Sequence, residues 1–276
     1  MTHPPMVPRT YLFVPGNRPE RFDKALASGA DAVVLDLEDA VAPDAKTLAR
    51  EAAAQWWTHA AEADRCRVIV RINDAGSAHF GEDLRCLGRL GVPALMLPKA
   101  ESDEQLRAVR AAVPTAAVLP LIETARGLAD CERLARADGV QRLVFGTLDF
   151  ALDLDLDIAP DNEPLAEAAA RLVLASRLAE RPAPVAGVTP QIDDESRLLA
   201  DLAWARRRGF GAKLCIHPRQ VAPLNAALLP DAATLDWARR VLAADRASPG
   251  AAQVDGRMVD RPVVLQARRV LSRAGC

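Results

Sequence analysis

The sequence predicts an α/β chain folded as a (β/α)8 barrel, and three observations predict it. Short apolar runs alternate with Ala- and Leu-rich helical stretches, and the count of such strand–helix units is eight. The runs are continuously apolar rather than alternating, as strands buried on both faces of a parallel sheet must be. No run is followed by G-x-G-x-x-G or G-x-x-x-x-G-K-S/T, which weakens the competing open, doubly wound sheet.

Residues 11–15 form the first strand, and 16–21 a turn into a helix that stops near Gly29. Residues 31–39 are a second strand, apolar and then acidic at its end, followed by a long Ala-rich helix over 44–61. The third strand spans 67–73, and 79–90 is helical with Gly91 as its stop. The fourth strand spans 94–99, and Ser102 caps a helix reaching 113. The fifth strand, 116–123, leads into a helix over 125–136, and the sixth spans 142–146. An acidic loop over 150–163 is longer than the others. Pro164 opens a helix to 181, the seventh strand is 184–189, and 193–208 is a helix stopped by Gly209. The eighth strand, 212–216, precedes a helix over 218–228.

From about Pro230 the pattern changes. The expected division is a catalytic barrel over 1–229 and a C-terminal helical extension or lid over 230–276. The extension reads as a helix over 232–244, a flexible connector over 246–252, a short turn over 254–260 and a last helix over 261–273. It is too short to bury a core of its own and should pack on the barrel or on a neighbouring subunit.

Half of the 276 residues are hydrophobic, enough for a sizeable core, and the net charge is -2. That charge offers no basic footprint for nucleic acid. No apolar run approaches the roughly 20 residues of a membrane span. The start, Met1-Thr-His-Pro-Pro-Met6, lacks the charged and apolar regions of a signal peptide, so a cytoplasmic protein is expected. Cys66, Cys86, Cys131, Cys215 and Cys276 are scattered with no CxxC, which suggests reduced thiols and no zinc spacing.

The strand ends carry the chemistry. Leu119-Pro-Leu-Ile-Glu123 and Phe145-Gly-Thr-Leu-Asp149 each end an apolar run in one carboxylate. Chemistry sits at the carboxyl ends of barrel strands, and two carboxylates there make a natural oxygen pair for a hard cation such as Mg2+. The plainer alternative makes Glu123 a helix cap and Asp149 a loop acid. Strand two ends in Asp36, Glu38 and Asp39, strand three in Arg71 and Asn73, strand four in Lys99, and strand eight in His217. Arg71 interrupts Val-Ile-Val-Arg-Ile, where a lone charge is costly. Its planar guanidinium suits a bidentate grip on a substrate carboxylate, or a structural ion pair with the acidic cluster, or both. His217 reads as a helix-start packing residue or a base. A Schiff-base role for Lys99 is unnecessary beside a metal pair and an arginine.

Assembled, these segments resemble the citrate lyase β-subunit-like family of the HpcH/HpaI aldolase group. The matching stretches are Leu12-Phe-Val-Pro-Gly-Asn-Arg-Pro-Glu-Arg21, Leu35-Asp-Leu-Glu-Asp-Ala-Val41, Val70-Arg-Ile-Asn73, Leu97-Pro-Lys99, Leu121-Ile-Glu-Thr-Ala125, Phe145-Gly-Thr-Leu-Asp149, Lys213-Leu-Cys-Ile-His-Pro218 and Val254-Asp-Gly-Arg-Met-Val-Asp-Arg-Pro262. The resemblance implies a TIM barrel with a C-terminal helical extension, assembled as a trimer or hexamer. It implies Mg2+ on Glu123 and Asp149 and a keto-acid carboxylate on Arg71. Asp36, Glu38 and Asp39 would hydrogen-bond metal waters and orient that arginine. Phe13 and Arg18 would contact the acyl or coenzyme A moiety. Asp260 would arrive from a lid over a neighbour's site, although it also reads as the N-cap of the last helix, with Pro262 near its first turn. The stretch from Asp149 to Asp157 lacks the glycine that usually ends the family's sixth-strand motif, and the lid is expected to be reduced.

The implied reaction is reversible carbon–carbon cleavage of a 3-hydroxy-acid thioester such as malyl-, citramalyl- or citryl-CoA, giving acetyl-CoA and a 2-keto acid, with Asp260 as the acid in cleavage and the base in condensation. The alternatives are a citrate lyase β-type subunit that needs an acyl-carrier partner, a free-acid aldolase, and a non-catalytic keto-acid-binding homologue.

Overall fold

The computed structural model describes residues 7–158, 161–248 and 252–274. Eight parallel strands close in sequence order into a barrel. They are β1 (Thr10–Pro15), β2 (Ala32–Asp36), β3 (Val68–Arg71), β4 (Ala94–Leu97), β5 (Ala117–Ile122), β6 (Val144–Phe145), β7 (Val185–Ala186) and β8 (Ala212–Cys215), with β1 pairing β8 to complete the ring. Burial on both sides explains the unbroken apolar runs. One alternate set, including Tyr11, Val34, Ile69, Met96, Leu119, Leu121, Val144, Val185 and Leu214, packs together as the barrel's inner core. The other set, such as Leu12, Val33, Leu35, Val70, Leu95 and Val118, is equally buried and faces the helical ring.

The period of two decides the site. Continuing the inner face one step beyond Val34, Ile69 and Leu121 reaches Asp36, Arg71 and Glu123. All three are buried at the carboxyl ends of their strands. On these three strands the inner face turns from apolar to charged at this one level, where the barrel opens.

Local signals end the elements as expected in several places. Gly91 takes φ 62 at the C-terminus of the helix Phe80–Leu90, a left-handed position that glycine adopts without strain. Ser102 and Gln105 form a capping box on the helix Asp103–Ala112. The expected helix over 125–136 is two, Ala125–Ala129 and Cys131–Arg136, hinged at Asp130. The stretch expected as an acidic loop over 150–163 begins inside a helix, Thr147–Asp153, because Phe150 is buried against Phe145 at 5.3 Å between ring centroids. Residues 159–160 of that stretch lie outside the described residues.

The chain divides into two compact units, Met1–Asn225 and Ala226–Cys276, so the border falls within the helix Val221–Leu228. The second unit holds the helices Ala232–Ala247 and Arg261–Arg273 and a hairpin of β9 (Gln253–Val254) and β10 (Arg257–Met258). The expectation that this segment carries no core of its own is corrected. Ala238, Val241, Ala252, Val259, Val264 and Ala267 are buried in one cluster. Three alanines let the two helices and the hairpin approach closely, so a small cluster suffices. The turn expected over 254–260 is that hairpin, with Asp255 (φ 51) and Gly256 (φ 74) both left-handed, as an Asp-Gly hairpin turn requires. Of the expected connector over 246–252, residues 249–251 lie outside the described residues, as does the start, Met1–Met6. No helix among the described residues is long and apolar enough to cross a membrane. Cys66, Cys86, Cys131 and Cys215 are free thiols.

Candidate active site

A cavity of about 380 Å³ opens at the carboxyl end of the barrel. It brings together six residues singled out from the sequence: Phe13, Asp36, Asp39, Arg71, Glu123 and Asp149. Leu121, Leu148, Val188, Leu214 and Ile216 supply an apolar wall.

Arg71 anchors one side. Its Nε and Nη2 donate to the two oxygens of Asp36 at 2.7 and 2.6 Å, and its Nη1 lies 3.0 Å from Glu38 Oε2 and 3.2 Å from Asp39 Oδ2. The guanidinium carbon sits 4.8 Å above the Phe13 ring. Burial opposes the charge on Arg71, but Asp36 and then Glu38 and Asp39 outweigh it and hold the guanidinium firmly protonated. The structural ion pair weighed from the sequence is therefore present, and the same guanidinium still lines the cavity.

The acidic loop after β2 is held from behind. Asp36 accepts the backbone N–H groups of Glu38 at 2.8 Å and Ala40 at 3.0 Å. Lys46, which sequence reasoning passed over, is buried, and its Nζ donates to the carbonyls of Leu37 and Glu38 at 2.7 Å each. Behind β3, Asp83 is fully buried and accepts from the Asn73 backbone at 2.8 Å and side chain at 2.7 Å, while Arg50 Nη1 donates to its other oxygen at 3.1 Å. Neither Lys46 nor Asp83 carries a sequence signal beyond being a charge within a helix. Their partners come from other elements of the fold.

Glu123 forms the other side. It does not cap the helix that follows; Thr124 does, accepting from the Gly127 N–H at 3.0 Å. Glu123 Oε1 accepts the Lys99 backbone N–H at 2.8 Å, its one hydrogen bond among the described residues. Burial first, then the neighbouring charge of Glu38 and that of Asp149, push its carboxyl up to about 8, against the pull of the Lys99 N–H and ammonium. Burial likewise pushes Glu38 up to about 7, with Arg71 and Lys99 opposing and Asp39 reinforcing. Gly146 leaves room for Glu123: a Cβ there would lie 2.5 Å from Oε2. Asp149 is half-buried in the first turn of the helix Thr147–Asp153, not in a loop.

These residues fit a divalent cation. Two carboxylates face one cavity, the buried one has most of its acceptor capacity unspent, and their mutual repulsion is what a cation relieves. All-oxygen donors suit Mg2+, which commonly uses one or two carboxylates and keeps several waters. No group of three or more His, Cys, Asp or Glu among the described residues forms a denser metal cage.

Other expected residues lie elsewhere. Arg18 is exposed and paired with Glu20 at 2.6 Å, and it does not line the cavity. His217 caps the turn Pro218–Gln220, its Nδ1 accepting from the Arg219 N–H at 3.2 Å, as the packing reading has it. Lys99 is held protonated by Glu38, its Nζ 3.0 Å from Oε1, which is the wrong state for a Schiff-base nucleophile. Asp260 belongs to the second unit, where it caps the helix Arg261–Arg273, accepting from the Val263 N–H at 3.1 Å.

The HpcH/HpaI aldolase/citrate lyase family model matches residues 9–218, the span that holds every barrel strand. The chain belongs to this family. It is 37% identical over 274 residues to a citrate lyase subunit beta-like protein of Mycobacterium tuberculosis, covering 96% of this chain and 95% of that protein. It is 33% identical to a (3S)-malyl-CoA thioesterase of Cereibacter sphaeroides, covering 96% and 94%. A crystal structure of CitE from Mycobacterium tuberculosis in complex with magnesium, acetoacetate and coenzyme A matches with a TM-score of 0.86 at 36% identity, over 97% of this chain and 98% of that one.

Proposed function

We propose that the chain is a Mg2+-dependent carbon–carbon lyase acting reversibly on a 3-hydroxy-acid coenzyme A thioester, releasing a 2-keto acid and acetyl-CoA. One observation carries this reading: Glu123 and Asp149 face Arg71 across a single cavity large enough for a keto acid and the end of an acyl chain. Membership of an aldolase and citrate lyase family, and the likeness to a structure with magnesium, acetoacetate and coenzyme A, support it.

Glu123 and Asp149 would hold Mg2+, which, when bound, acts as a Lewis acid that lowers the pKa of a hydroxyl and steadies developing negative charge. Arg71 grips the carboxylate that leaves with the keto acid, and its bidentate seat on Asp36 keeps the fork in one orientation. The apolar wall of Leu121, Val188 and Leu214 excludes water from the breaking bond. Asp260 is the group that donates a proton to the departing thioester enolate and removes it in condensation. Phe13, in the cavity wall, contacts the acyl part, and Arg18, exposed outside the cavity, is left for the coenzyme A part. The assembly is a cytoplasmic homo-oligomer, a trimer or hexamer.

A second reading, hydrolysis of the thioester, is favoured by the 33% likeness to (3S)-malyl-CoA thioesterase. Product analysis separates the two: a lyase yields a keto acid, a thioesterase a free hydroxy acid and coenzyme A. Glu123→Ala and Asp149→Ala test the metal assignment by calorimetry and turnover. Metal binding and activity should vanish together, and activity surviving the Glu123 change would refute it.

A further inference from the structure

Lys99 stands between the two halves of the site and is held in a backbone conformation that lysine rarely adopts. Its φ is 44. Non-glycine residues in the left-handed region persist where surrounding contacts over-determine them, often at functional sites. Three contacts pin this turn: the Ala100 N–H donates to Leu121 O at 3.2 Å, Gln105 Nε2 donates to Lys99 O at 3.4 Å, and the Lys99 N–H donates to Glu123 Oε1 at 2.8 Å. Glycine or asparagine would fit the backbone with less strain. The side chain accounts for lysine instead. Its Nζ donates to Glu38 Oε1 at 3.0 Å, while Glu38 Oε2 lies 3.0 Å from Arg71 Nη1. Glu38 is thus shared between two cations.

We propose that Lys99 is a positioning residue that couples the two halves of the site: its backbone N–H aims Glu123, and its ammonium holds one oxygen of Glu38 while Arg71 holds the other, so that the guanidinium carries only part of the Glu38 charge when a substrate carboxylate approaches. This rests on the metal and keto-acid reading given above. Without the ammonium, an ionised Glu38 keeps Arg71 as its one cation partner among the described residues and competes with the substrate for it.

The test uses the full chain and three variants, with Mg2+ affinity and keto-acid affinity (pyruvate and glyoxylate, in saturating Mg2+) measured by calorimetry. Lys99→Gly removes the ammonium but accepts the left-handed turn. Lys99→Val removes the ammonium and resists that turn. Lys99→Arg keeps a cation. Losing one charged hydrogen bond should weaken keto-acid binding about tenfold in Lys99→Gly, with Mg2+ affinity within about threefold of wild type. Lys99→Val should weaken Mg2+ as well, by about tenfold, and Lys99→Arg should recover most of the keto-acid affinity. Unchanged keto-acid binding in Lys99→Gly overturns the role of the ammonium, and equal Mg2+ affinity in the Gly and Val variants overturns that of the backbone. If Lys99→Val fails to fold, the Gly and Arg variants still decide the first. Wild-type chain that binds neither keto acid in Mg2+ refutes the functional reading itself, and the inference with it.

Discussion

Asp36 and Arg71 are register partners on adjacent strands, and the carboxylate takes both Nε and Nη2 of the guanidinium. The pair is set by the barrel, because neighbouring parallel strands place residues of one face at one height. An arginine buried in the inner face is thereby neutralised without losing its place in the cavity wall. Removing Asp36 would take away the bidentate seat and leave the buried guanidinium to Glu38 and Asp39 on its Nη1 alone, freeing the fork to turn.

Gly146 is predicted to be irreplaceable for metal binding. A Cβ at that position would lie 2.5 Å from Glu123 Oε2 and 2.7 Å from Glu123 Cβ, so Gly146→Ala must displace the carboxylate. A shift of this kind should cost on the order of tenfold or more in Mg2+ affinity, with the barrel still folded. Calorimetry beside circular dichroism measures both.

Asp83 is predicted to be a stability residue whose loss also loosens the strand end that carries Arg71. It is fully buried and binds Arg50 and Asn73 together. Asp83→Ala leaves Arg50 with the half-exposed Glu82 alone and strips both Asn73 N–H donors of their buried acceptor, and should cost about 3–5 kcal/mol in urea unfolding. A loss under 1 kcal/mol would show that water reaches Arg50.

Lys213 gives a pH signature. It is fully buried on β8, with Nζ donating to Gly187 O at 2.8 Å, and burial pushes its amine down to about 8, against the pull of Asp201. The unfolded chain holds that proton up to about 10.4, so between these values it binds more protons than the native state, and native stability rises with pH. Relative to Lys213→Met, wild type should gain about 3 kcal/mol between pH 8 and 10.5, with no relative change below that window. Paired urea titrations across the window read the slope directly.

Asp260 can be dissected because asparagine caps helices as well as aspartate does. Asp260→Asn should keep Tm and Mg2+ affinity while turnover falls by at least about a hundredfold, the range of general acid–base contributions. Turnover within twofold of wild type would leave Asp260 as a cap alone.

Much of this architecture was legible in the sequence, for physical reasons. Strands buried on both faces must be apolar throughout, so eight such runs mark the barrel, and a charge inside one, such as Arg71, marks the site. The Asp255-Gly256 dipeptide is a hairpin signal, but the two-residue strands that flank it are too short to show an alternating pattern. Glu123 against Thr124 as helix cap was undecidable from residue type, since both are favoured at helix starts. Lys46 and Asp83 were invisible because their partners, the carbonyls of Leu37 and Glu38 and the end of β3, lie far along the chain. The strain at Lys99 is a backbone dihedral with no residue-type signal.

The measurement that bears most directly on the central claim is turnover of malyl-CoA, citramalyl-CoA, citryl-CoA and the free acids, with Mg2+ and with EDTA. The account predicts release of a 2-keto acid and acetyl-CoA from one thioester, abolished by EDTA and restored by Mg2+. Keto acid released at the same rate in EDTA, or no thioester cleaved under any condition, would contradict it.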